Sequence, residues 1–226
     1  MMLKKSLAVA AAVAGLVTLA VAPQASAKAA TGDGFVPTDS VLGLNTRPVA
    51  NAKRSAAAAD AAAPVVIYNE WSQRCLDATG KANGSGIQVW DCDAAPSEVV
   101  NLSVNAEGYI RIQNAATGRY VEASKSVPGG GVNGTKVQLW DFVAGGKNQW
   151  WLPVQNAEGH WRLKNVWSGR YLDASKSKPG GGVNGTKVQL WSLVSGGSNQ
   201  WWPAYSVESA TAKQGLGASK RDSWDW

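Results

Sequence analysis

Three stretches of this chain each carry one carboxylate and, thirteen or eighteen residues later, one indole: Asp77 with Trp90, Glu122 with Trp140, and Asp173 with Trp191. Side by side, such a pair has a definite chemistry. The ionised oxygens accept hydrogen bonds from neighbouring hydroxyls, while the ring covers an apolar C–H face, and a sugar ring presents both surfaces at once. A lone Asp or Trp would carry little weight, since tryptophan is usually well buried. Three coincident pairs at one place in a repeat favour binding.

The elements that position these pairs are repeated. Gly118 to Trp140 reads GRYVEASKSVPGGGVNGTKVQLW, and fifty-one residues later Gly169 to Trp191 reads GRYLDASKSKPGGGVNGTKVQLW, with three of twenty-three positions changed. Arg74 to Trp90 reads RCLDATGKANGSGIQVW, a relative with a loop five residues shorter. Asn69, Asn114 and Asn165 correspond, as do Arg74, Arg119 and Arg170, the Asn-Gly pairs at Asn83, Asn133 and Asn184, and the Gln-x-Trp ends. From Val65 to Tyr205, short runs of β-branched and aromatic residues alternate with Gly, Asn and Ser, the pattern of many short strands. Three units of about fifty residues, each of roughly four strands, suit a closed threefold arrangement better than an open array that needs caps.

Export sets the register expected inside each unit. Met1 to Ala27 has Lys4 and Lys5, the apolar run Leu7 to Ala22, and Ala25-Ser26-Ala27 after Pro23, which reads as a secretory signal peptide cut after Ala27. In an oxidising space the two cysteines, Cys75 and Cys92, can pair, contributing about 3 kcal/mol in the chain-entropy model. If the bridge joins directly opposed residues, Asp77 lies opposite Trp90, and the same offset sets Glu122 opposite Trp140 and Asp173 opposite Trp191. Tyr120 with Phe142, and Tyr171 with Leu193, would then hold the register that the disulfide holds in the first unit.

Other signals have plainer readings. Loss of Lys4 and Lys5 lowers the net charge from +6 to +4, and without basic clusters nucleic acid is not expected. No other stretch approaches eighteen unbroken apolar residues, so membrane insertion is not expected. The runs Gly129-Gly130-Gly131 and Gly180-Gly181-Gly182 lack the helix start and Gly-Lys-Ser/Thr of a phosphate cradle and read as loops. Asn83, Asn133 and Asn184 each begin a glycosylation sequon, yet Asn-Gly before a strand is better explained by turn chemistry. His160, the one histidine, has no metal partners or nucleophile context, so neither a metal, a cofactor nor a triad is expected.

From about Pro64 to Tyr205 the chain resembles the ricin B-chain-type lectin domain, a β-trefoil also found as a carbohydrate-binding module on secreted glycosidases. The resemblance rests on Cys75-Leu76-Asp77, the Gln-Val-Trp or Gln-Leu-Trp strand of each repeat, and Asn148-Gln149-Trp150-Trp151 with Asn199-Gln200-Trp201-Trp202. The last two look like the family's Gln-x-Trp signature, whose tryptophan is core. The resemblance implies galactose-, xylose- or arabinose-like ligands held by the early aspartate, the stacking aromatic and the asparagine that follows. On that basis the third repeat is the most complete, with Asp173, Trp191, Asn199 and Gln200. The second keeps Trp140, Asn148 and Gln149, with Glu122 one methylene longer. The first keeps Asp77 and Trp90, but Glu98 and Val99 stand for Asn-Gln and Asn101 for the core tryptophan, which makes it a weakened or purely structural site.

The organisation expected is therefore a signal peptide at 1–27, an Ala-rich linker at 28–63, an all-β trefoil lectin domain at 64–206 and a tail at 207–226 that ends in Trp224 and Trp226. The function expected is that of a secreted, monomeric carbohydrate-binding protein with polysaccharide or glycoconjugate partners. A glycoside hydrolase using Asp77, Glu122 and Asp173 is disfavoured, because its two carboxyl groups must lie about 5–9.5 Å apart and a threefold fold separates them. A protein-binding or inhibitor trefoil is the remaining rival.

Overall fold

A computed structural model describes residues 64–126, 130–177 and 182–207. The expected signal peptide, the linker and the Trp224/Trp226 tail lie outside the described residues. Each repeat supplies four strands: β1 (Val65–Asn69), β2 (Arg74–Ala78), β3 (Ile87–Trp90) and β4 (Val100–Val104); β5 (Ile110–Asn114), β6 (Tyr120–Ala123), β7 (Val137–Trp140) and β8 (Trp151–Gln155); β9 (Trp161–Asn165), β10 (Tyr171–Ala174), β11 (Thr186–Trp191) and β12 (Ala204–Ser206).

The first and last strands of the repeats form a closed ring. β1 pairs with β4, β4 with β5, β5 with β8, β8 with β9, and β12 returns to β1. Between β9 and β12 the ring is joined where the Trp202 N–H donates to the Trp161 carbonyl at 2.7 Å. The middle strands form the hairpins β2–β3, β6–β7 and β10–β11, and these meet one another through β3–β11 and the bridges Gly86 to Gln138 and Lys136 to Gln189. This is a β-trefoil, and closure removes the sheet edges that a row of short strands would otherwise expose.

Period-two patterning sends alternate side chains into one core. In β5, Ile110 and Ile112 are buried between half-buried Arg111 and Gln113. Trp151 and Trp202 are wholly buried, and their indole N–H groups donate to the carbonyls of Val121 at 3.0 Å and Leu172 at 2.9 Å. Each ring thus fastens the start of its own return strand to the hairpin of the same repeat. Burying one contributes about 3 kcal/mol, and the paired N–H avoids the cost of an orphaned donor.

The expected register is off by two. Cys75 faces Trp90 and Asp77 faces Gln88; Tyr120 faces Trp140 and Glu122 faces Gln138; Tyr171 faces Trp191 and Asp173 faces Gln189. The disulfide does join Cys75 to Cys92, with Cα atoms 5.0 Å apart. It does so diagonally, because β3 ends at Trp90 and Cys92 lies beyond the ladder. A bridge constrains distance but does not require direct opposition. A slip of two preserves the face, so each carboxylate still shares a side with its tryptophan, as a diagonal rather than an opposed neighbour.

The first repeat also aligns differently at its end. Val100 pairs with Asn114 as Trp151 pairs with Asn165, and Val100 is 1% exposed. Val100, not Asn101, therefore takes the place of the core tryptophan, and Glu98 takes that of Gln149 and Gln200. The loop before β4 is one residue shorter than in the other repeats, a deletion that a gap-free alignment from Trp90 hides.

Candidate functional site

Each carboxylate sits one step in from the mouth of its hairpin, with a glutamine opposite it and the loop that leads to the next strand packed over it. In the third repeat Asp173 Oδ1 accepts from Gln189 Nε2 at 3.2 Å, and Oδ2 accepts from Asn199 Nδ2 at 2.8 Å and Gln200 Nε2 at 3.0 Å. In the second, Glu122 Oε1 accepts from Gln138 Nε2 at 3.0 Å, and Oε2 accepts from Asn148 Nδ2 at 3.0 Å and Gln149 Nε2 at 3.1 Å. The pattern is the same atom for atom. The extra methylene of Glu122 is absorbed without loss of a donor, so the carboxylate is held as firmly as that of Asp173.

The amides are also anchored at their far ends. Asn148 Nδ2 reaches the Ala123 carbonyl and Asn199 Nδ2 the Ala174 carbonyl, which ties the short 3₁₀ helices Lys147–Gln149 and Ser198–Gln200 to the hairpins. Gln149 donates to the Asp141 carbonyl and accepts from the Val143 N–H; Gln200 does the same with Ser192 and Val194. These amides therefore position the carboxylate and brace the loop beside it.

Burial divides the residues by role. Asp173 and Glu122 are only 3% and 4% exposed, whereas Trp191 and Trp140 are 38% exposed and offer ring surface outward. Asn199 Oδ1, by contrast, is buried and accepts no hydrogen bond. Desolvation pushes the Asp173 carboxyl above its usual range, opposed by the bonds from Gln200, Gln189 and Asn199 and by the charge of Lys176. Such a carboxylate, with directions left over after its amide bonds, is a strong acceptor for a hydroxyl placed beside the indole.

The first repeat keeps Asp77, fully buried with Gln88 Nε2 on Oδ2 at 2.7 Å, and a half-buried Trp90. It lacks the amide pair, and in place of the 3₁₀ helix Glu98 Oε2 accepts from the Asp93 and Ala94 N–H groups at 3.1 and 2.9 Å.

Gln88, Gln138 and Gln189 were not among the expected site residues, although their recurrence two before each tryptophan was visible as a motif. The Asn-Gly asparagines also do more than shape turns, since each clamps its repeat to another. Asn184 Oδ1 accepts from Arg74 Nε at 2.7 Å and the Asp91 N–H at 2.9 Å, and its Nδ2 donates to Asp91. Asn83 does the same with Arg119 and Asp141, and Asn133 accepts from Arg170 and from the Ser192 N–H and hydroxyl. Their glycines are needed in the left-handed region: φ is +85° at Gly185, whose added Cβ would touch Trp90, and +88° at Gly84, whose added Cβ would touch Trp140. Two of the clamps thus seat Gly84 and Gly185 against the tryptophan of a neighbouring repeat. His160 stacks on Trp201 at 3.7 Å with its Nδ1 2.8 Å from Glu70 Oε2, a contact between the third repeat and the first.

The chain matches the family described as ricin-type beta-trefoil lectin domain-like over residues 58–140, 99–191 and 147–220, and it belongs to that family. No curated protein matches it. Solved structures are similar in fold. A designed threefold-symmetric protein, ThreeFoil, is 21% identical with a TM-score of 0.56, over 62% of this chain and 96% of its own. The Rhizoctonia solani agglutinin is 18% identical with a TM-score of 0.53, over 64% and 95%. An exo-beta-1,3-galactanase from Clostridium thermocellum is 24% identical with a TM-score of 0.55, over 63% of this chain but only 30% of the enzyme. Family and fold together support a carbohydrate-binding role.

Proposed function

We propose that this is a secreted, non-catalytic lectin that binds galactose-, xylose- or arabinose-type glycans at two sites, one in the second repeat and one in the third. The observation that carries the reading is the duplicated cage: Glu122 and Asp173, each held by three amide donors beside an outward-facing Trp140 or Trp191. A sugar stacks its C–H face on the indole and gives hydroxyl protons to the carboxylate. Buried Asn148 and Asn199, together with Gln138, Gln149, Gln189 and Gln200, keep the acceptor in place. Asp77 and Trp90 hold the fold of the first repeat.

The carboxylates belong to separate hairpins, and those of the second and third repeats are each held in place by three amide donors, which favours binding over paired acid–base hydrolysis. One shallow site of this kind binds at about millimolar strength, roughly −4 kcal/mol. Two on one scaffold raise retention on a polymer by orders of magnitude where its spacing fits. Export to the outside follows from the signal-peptide pattern, and the protein acts there as a monomer. The test is a glycan panel probed with the mature protein. Binding to galactosyl, xylosyl or arabinosyl glycans that the free monosaccharide competes away is expected. Binding to proteins alone, with no glycan retained, would replace this reading with an interaction trefoil.

A further inference from the structure

The first repeat departs from the others at the atoms that hold its carboxylate. Glu98, Gln149 and Gln200 occupy matching places, all fully buried, and one side-chain oxygen of each accepts backbone N–H from the loop after its hairpin. In the two glutamines the other arm is an amide nitrogen that donates to Glu122 or Asp173 at 3.1 and 3.0 Å. In Glu98 that arm is an oxygen. The carboxylate in the matching position is Asp77, which is also fully buried.

We propose that Asp77 and Glu98 share one proton, so that the first repeat holds a buried carboxyl–carboxylate pair where the other two hold a carboxylate caged by amides. Glu98 stands where a glutamine amide meets the carboxylate in the other repeats, and two ionised carboxylates so placed in a dry site repel strongly. A single proton between them converts the repulsion into a short, charge-assisted O–H···O bond that replaces the lost amide donor. Gln88 supplies one further donor to Asp77, and the Asp93 and Ala94 N–H groups fix Glu98. The other charged groups on the surrounding elements are Arg74 and Asp91, ion-paired with each other at 3.1 Å, Asp93, whose Oδ1 accepts from the Ala95 N–H, and Lys187 on β11, paired in register with Gln88. The pair titrates as a unit, and its proton belongs to neither residue alone.

The linkage has a definite sign. The folded pair retains a proton at a pH where both carboxyls of the unfolded chain have lost theirs, so the folded state binds more protons. Stability from this source is complete below the unfolded carboxyl range, near pH 4, and falls as the pH rises until the pair releases its proton. Replacing either acid by its amide removes the dependence and, in Glu98→Gln, restores the donor that Gln149 and Gln200 supply in the other repeats.

The experiment follows the melting temperature of wild type, Glu98→Gln and Asp77→Asn from pH 4 to pH 8, with infrared spectra of each at pH 7. Glu98→Gln is expected to melt higher than wild type by about 4 °C or more at pH 8, with the gap closing toward pH 4. The carbonyl stretch of a protonated carboxyl is expected in wild type and absent from both variants. A gap that does not change with pH, or the same band intensity in all three proteins, would overturn the proposal. Should a variant fail to fold, wild type carrying isotope-labelled aspartate or glutamate decides it alone, since a shared proton puts the protonated stretch on one of these labels and two ionised acids leave it out of both. None of these readouts involves sugar, so they stand apart from the lectin reading.

Discussion

Gln200→Ala separates positioning from binding in the third repeat. The Gln200 side chain is wholly buried and makes three hydrogen bonds: to Asp173 Oδ2 at 3.0 Å, to the Ser192 carbonyl at 2.9 Å and from the Val194 N–H at 3.0 Å. At a net ~1 kcal/mol each, with added cost where a buried partner is left unsatisfied, truncation destabilises the domain by about 3–4 kcal/mol. For a domain of this size that is a fall of roughly 6–16 °C in melting temperature. A second effect is more diagnostic. Gln200 is the first of the hydrogen-bond donors that hold the Asp173 proton affinity down against desolvation, so its loss pushes that carboxyl higher still. On the proposed reading, sugar binding at this repeat requires the ionised acceptor and is lost as the pH falls through the Asp173 transition. In Gln200→Ala the loss therefore begins at a higher pH than in wild type. Thermal melts and binding measured against pH, in a Trp140→Ala background that leaves the third site alone, give both numbers. A melting temperature within 2 °C of wild type, together with an unmoved binding midpoint, would refute the claim that Gln200 holds the carboxylate.

Other outcomes follow from the same contacts. Trp202→Phe leaves the Leu172 carbonyl without its donor and opens space in the core, and is expected to cost about 2–3 kcal/mol by denaturant unfolding. Reducing the Cys75–Cys92 bridge is expected to cost about 3 kcal/mol while sugar retention persists, since the second and third sites lie on other hairpins. Asn83→Asp sets a carboxylate against Asp141, whereas Asn133→Asp meets the Ser192 hydroxyl, so melting should fall further in the first than in the second.

The trefoil was legible because its signal is repetition, which survives any error in local detail: Asn69, Asn114 and Asn165 do occupy one structural place, each with Nδ2 bonded to a carbonyl of the loop before the return strand. The pairing of carboxylate with indole was legible for the same reason. Register was not, because two cysteines state a distance and leave open whether the bridge runs straight or diagonally. The one-residue deletion ahead of Val100 was hidden because Val and Trp share only their burial. The caging glutamines were visible as a motif, but their role depends on the register, and placing Trp191 opposite Asp173 set Gln189 opposite Ser175 instead of the carboxylate. The reach of Asn83, Asn133 and Asn184 across repeat boundaries is a property of closure, which no single repeat contains.

The central claim is that two caged carboxylate–indole pairs bind glycan and the first repeat does not. Retention of the mature protein on immobilised galactan, xylan and arabinan columns, compared with Trp90→Ala, Trp140→Ala, Trp191→Ala and the Trp140/Trp191 double variant, tests it most directly. The account predicts that each of the latter two single changes weakens retention, the double change abolishes it, and Trp90→Ala leaves it intact. Retention that survives the double change, or is lost with Trp90 alone in a protein that still melts normally, would contradict it.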